Sequence, residues 1–67
     1  METMELLQSY KEILENLKHS IARGRRKMWA ALEAGDTFAA DRNAYTVEKL
    51  LHQYHLVDRR IRELSEQ

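Results

Sequence analysis

The chain contains no cysteine, no proline and only two glycines. Without cysteine, disulfides and thiolate zinc sites are excluded as sources of stability, and a reducing compartment is the natural setting. Without proline, and with 33% of residues charged, nothing breaks a long helix. An excess of one charge is missing too. Eleven basic residues balance eleven acidic ones, so no global field draws the protein towards nucleic acid, membranes or acidic partners. No apolar run approaches a membrane span, and the start, Met1-Glu2, is acidic rather than basic. No signal peptide or transmembrane segment is expected. These absences leave a soluble, cytoplasmic protein of one small domain over residues 1–67.

What is present is a seven-residue apolar repeat on each side of one turn signal, Gly35-Asp36-Thr37. Before it, Leu7, Tyr10, Leu14, Leu17, Ile21, Gly24, Met28 and Ala31 recur at alternating spacings of three and four. After it, Val47, Leu50, Tyr54, Val57, Ile61 and Leu64 do the same. Each set forms one continuous buried seam on a helix, and two seams joined by a tight turn make an antiparallel all-α hairpin. The first helix is expected over about 3–34, capped by Thr3, a rod of about 48 Å at 1.5 Å per residue. Gly35 suits the left-handed residue that ends it. Asp36 or Thr37 caps a second helix over about 38–65. Gly24, at a seam position, is read as a close helix–helix approach rather than a hinge, because the apolar phase resumes at Met28.

Two paired helices leave part of each stripe uncovered, and a chain of this length needs outside help to fold stably. A homodimer closing a four-helix bundle is the simplest remedy; a heterologous partner helix is the other. The seam residues are accordingly the expected folding and oligomer surface. Trp29, Phe38, Tyr45 and Leu56, off the seam, are candidates for a protein-partner surface, since grouped aromatics mark binding hot spots.

Catalytic and metal chemistry find little support. Glu48, His52 and His55 share a helical spacing that could hold a divalent ion, but Arg59 continues the stripe and a cation there opposes metal binding. No metal or cofactor is expected. Ser9, Ser20 and Ser65 have no histidine placed to activate them, and two helices offer no enclosing pocket, so an enzyme is not expected. Asp58 can pair with Arg62 one turn on, or reach Arg25 or Lys18 across the interface. A second functional class rests on Lys11, Lys18 and Arg25, spaced by seven, with Arg26 and Lys27 beside them and Trp29 at their end. Cations next to an aromatic can hold phosphates and stack a base. The balanced net charge places this nucleic-acid edge behind protein binding.

The apolar heptads and the Ala34-Gly35 turn make the layout similar to that of two families. One is the plasmid copy-number regulators of the Rop kind, short hairpins that dimerise and bind RNA on one bundle face. The other is the needle-protein co-chaperones of type III secretion. The first resemblance implies a nucleic-acid-binding four-helix bundle, the second a helix-binding chaperone. The expected function is therefore a small non-catalytic interaction module, a regulator, adaptor or chaperone acting through homo-oligomerisation and helix-mediated protein binding.

Overall fold

A computed structural model describes residues 2–66 of the chain. It contains two helices, α1 (Glu2–Glu33) and α2 (Thr37–Ser65), packed against each other as an all-α hairpin with a long axis of 51 Å. The reversal between them is made by backbone geometry and one side chain. Gly35 adopts φ 74°, a conformation that a residue with Cβ reaches only at a cost. The Gly35 N–H donates to Leu32 O at 3.1 Å and the Asp36 N–H to Ala31 O at 2.9 Å. This pair of bonds satisfies the last carbonyls of α1. Asp36 then caps α2, its Oδ1 accepting from the Ala39 N–H at 3.0 Å. Thr3 does not cap α1 as expected, because it lies within the helix rather than before it.

The apolar seams meet between the helices. Ile21 and Gly24 of α1 and Ala40, Val47 and Leu64 of α2 are buried. Leu7, Tyr10, Leu14, Leu17, Met28 and Ala31 are half-buried on α1, as are Leu50, Tyr54, Val57 and Ile61 on α2. The α2 seam continues further towards the turn than its apolar pattern indicates, through Asn43 and Ala44 to Ala40. Gly24 is a contact point for Val47: a Cβ on Gly24 would sit 2.7 Å from Val47 Cγ2. Glycine at this position is what lets the helices approach, and α1 runs through it unbroken.

The core is thin. No described side chain is fully buried, and the accessible surface is 5496 Å². A globular monomer of this mass, 8.0 kDa, exposes about 4,500 Å². The hairpin thus leaves about 1,000 Å² more in water than a chain of its size does when folded compactly.

Candidate functional site

A helix pair has two lateral faces, and here they differ in chemistry. On one, a shallow depression of about 230 Å³ is lined by Lys18, Ile21, Ala22, Arg25, Leu51 and Tyr54. On the other, a depression of about 240 Å³ is lined by Ser20, Arg23, Gly24, Lys27, Asn43, Thr46 and Leu50. The seven-residue repeat extends each along the rod. The first is the Leu51 face and the second the Thr46 face.

The Leu51 face carries an apolar strip between two charged borders. Leu51 and Ala44 are half-buried along it, and Leu32 and Trp29 of α1 stand 46% and 60% exposed at its turn end. Its α1 border holds Lys11, Lys18 and Arg25; its α2 border holds Asp41, Glu48, His55 and Arg62 at intervals of seven, with Asp58 in the row of Ala44 and Leu51. Lys18 Nζ lies 3.7 Å from Glu15 on its own helix. The half-buried Asp58 is bridged by Arg62 Nη2 at 3.0 Å, so it takes the local partner rather than Arg25 or Lys18.

The Thr46 face is polar and cationic. Arg23 and Lys27 line it from α1. On α2 the Thr46 hydroxyl donates to Arg42 O at 3.1 Å, while Lys49 lines a separate depression on the outer side of α2 with Glu48, His52 and Gln53. Neither Arg23 nor Lys27 has an Asp or Glu three or four residues away on its own helix, and neither forms an ion pair among the described residues. Lys49 Nζ lies 5.5 Å from the Tyr45 ring centre. Towards the open end of the hairpin the Thr46 side carries Arg60. Its guanidinium is held above its ordinary pKa, chiefly by the Tyr10 hydroxyl and then by Glu63, whose Oε2 is 3.2 Å away.

The residues singled out in the sequence are distributed unevenly over these faces. Lys11, Lys18 and Arg25 share the Leu51 border, whereas Lys27 lines the Thr46 face and Arg26 stands on the outer side of α1 between the two. The five are not one surface. Trp29, Phe38, Tyr45 and Leu56 are all exposed but occupy three sides: Trp29 the Leu51 face, Phe38 and Tyr45 the back of α2 seven residues apart, Leu56 the Thr46 side. Four further apolar residues of α1, Met4, Leu6, Ile13 and Leu32, are also exposed. Leu6 and Ile13 sit seven apart beside the main repeat, and that spacing is the signal that marks them as a flank of the seam.

Glu48 and His55 point to one border of α2 and His52 to its back; His55 stacks edge-on with Tyr54 at 5.8 Å. His19 Nε2 lies 3.8 Å from Glu15. Among the described residues no three His, Asp or Glu side chains are grouped to hold a metal ion, and no helix is long and apolar enough to cross a membrane. In comparisons with known proteins, no family model, no curated protein and no solved structure matches the chain.

Proposed function

We propose that the protein is a non-catalytic helical interaction module that acts as a homodimer, two hairpins closing a four-helix bundle through the Leu51 face. The observation that carries this reading is the surplus of exposed surface. It amounts to about 1,000 Å² on one hairpin, and a stable interface takes about 800 Å² from each partner.

Charge selects the face and the orientation. Pairing two Thr46 faces would bring together cations that have no acids between them. Two Leu51 faces are self-complementary if the basic α1 border of one copy meets the acidic α2 border of the other. A two-fold axis along the hairpin produces that arrangement and puts both turns at the same end. Gly24 lies opposite Val47, so Arg25 comes within about 3 Å of the level of the partner copy's acidic border at position 48. An axis across the hairpin would instead set the two basic borders against each other. Phe38, 88% exposed, and Tyr45 stay on the outside of such a bundle, available to a protein partner.

The test is absolute mass by light scattering over a dilution series, with helicity followed in parallel. A dimer that keeps its helix on dilution is expected for the native chain. Leu51→Glu should dissociate it, and Leu56→Glu, on the opposite side, should not. A monomer at all concentrations, or dissociation by Leu56→Glu alone, would overturn the reading.

A further inference from the structure

We infer that the back of α2 is a second self-association surface, on which two copies of this chain pair in parallel through the stripe Phe38, Tyr45 and His52. The inference goes beyond the Leu51-face dimer and does not rest on it. The stripe points away from α1 and from the Leu51 face, so each hairpin carries it complete.

The first argument is the placement of the aromatic rings. Phe38, Tyr45 and His52 follow one another at intervals of seven, so they form one row along the helix, on the side opposite the seam. Phe38 is 88% and Tyr45 63% exposed, and His52 is exposed beside them. Neither folding of the hairpin nor closure through the Leu51 face takes these rings out of water. A single exposed apolar residue is ordinary. Two aromatic rings in register, on the row of a bundle helix that faces solvent, have the composition of a binding hot spot.

The second argument is the charge beside the stripe, which selects what covers it. One flank carries Asp41 and Glu48, the other Arg42 and Lys49. All four are exposed, and none forms an ion pair among the described residues. A two-fold axis along the helix sets the first flank of one copy against the second flank of the other, at the same level. Asp41 then meets Arg42 of the second copy and Glu48 meets its Lys49, each pair occurring twice. Further along, both signs invert together: Arg62 stands on the first flank and Glu63 on the second, so the match holds there too. Those two already have local partners in Asp58 and Arg60, which leaves the first two levels to supply the attraction. An axis across the helix would set Asp41 against Glu48 and Arg42 against Lys49, like charge against like. A second copy in parallel therefore supplies the order of signs that this surface requires.

The third argument is relief. A shallow hollow of about 260 Å³, lined by Glu48, Lys49, His52 and Gln53, follows Tyr45 along the helix. Lys49 Nζ lies 5.5 Å from the Tyr45 ring centre. Parallel helices seat a side chain of one in a hollow between side chains of the other, and here a projecting ring and a hollow adjoin on the same row. The stripe has one apolar position in seven, half the density of a seam, so this contact is weaker than the Leu51 face and forms at higher concentration. Both two-fold axes run along the hairpin without coinciding. Their combination is a translation, so the native protein should grow into an open row with all turns on one side.

The experiment is sedimentation equilibrium of the Leu51→Glu chain, whose other face is closed to pairing, up to about 1 mM. A monomer–dimer equilibrium with Kd of about 0.1–1 mM is expected. Phe38→Gln with Tyr45→Gln should weaken it about tenfold or more. Glu48→Lys should weaken it about threefold or more, and addition of Lys49→Glu should restore it. Orientation is read from disulfide formation under mild oxidation. His52→Cys should link to itself well above Arg26→Cys, on the outer side of α1, and a mixture of Phe38→Cys with His52→Cys should give little mixed disulfide. The native chain should pass beyond a dimer at the same concentrations. A native chain that stops at a dimer while Leu51→Glu still dimerises would support the stripe and count against the Leu51 face. A Leu51→Glu chain that is monomeric at 1 mM would overturn the inference. So would undiminished association of the Phe38 and Tyr45 double variant, or mixed disulfide as abundant as the self-linked His52→Cys product.

Discussion

At Gly24 two energetic preferences oppose each other. An alanine in its place would gain about 1 kcal/mol of helix propensity, but its Cβ would sit 2.7 Å from Val47 Cγ2. Valine in a helix has essentially one side-chain rotamer, so it has no easy retreat, and overpacking of this kind costs about 1–3 kcal/mol. Gly24→Ala is therefore expected to leave the protein no more stable, and by up to about 2 kcal/mol less so, in urea unfolding. In the Val47→Ala background the same change should be stabilising. A stabilising Gly24→Ala in the native background would show that the close approach is not tight. Gly35 is the opposite case, with open space around it but φ 74°. Gly35→Ala should cost about 1–2 kcal/mol from backbone conformation alone.

For the helices as elements, the turn end is well satisfied. Asp36 supplies the side-chain cap of α2, and Asp36→Ala should lower the urea midpoint by an amount equivalent to about 1 kcal/mol. Asp36→Asn or Asp36→Ser should retain most of that stability, because both side chains accept the same bond; a loss as large as alanine's would mean that charge rather than capping is at work. At the other end of the rod, the half-buried Tyr10 and the exposed Glu63 flank Arg60, a link between helices at the surface. Surface pairs contribute at most about 1 kcal/mol, so the open end is held mainly by the half-buried Leu7, Ile61 and the buried Leu64.

The whole molecule is where assembly is decided. The chain has no cysteine, so a single Ala34→Cys variant can carry a spin label beside the turn without competing sites. With both turns at one end of a bundle, label-to-label distances should centre at about 20 Å, given helix axes 8–10 Å apart. With turns at opposite ends the distance would approach the 51 Å length of the rod. The shorter distance supports pairing of the basic α1 border with the acidic α2 border; the longer one rejects it. Raising salt should weaken this dimer only modestly, because its border charges are exposed and its strip is apolar.

The hairpin itself was legible in the amino-acid order. Heptad spacing of Leu, Ile, Tyr and Val fixes which side of each helix leaves water, and Gly35 followed by Asp36 carries the local chemistry of a helix end and a helix start. These are short-range effects, set by residues a few positions apart. The partner of Gly24 was not legible, since it depends on how the two helices slide past each other, and register is a tertiary property. Nor was the reach of the α2 seam to Ala40, where a methyl group too small to stand out as apolar is buried by proximity to the turn. The charged faces show the same division most clearly. Which cations lack an acid one turn away can be read from the order of residues. That Arg23 and Lys27 share a face with Asn43 and Thr46, while Lys18 and Arg25 border the other beside Leu51, follows only once the helices are packed. Packing joins one flank of each helix into a common surface, and no single helix contains that information.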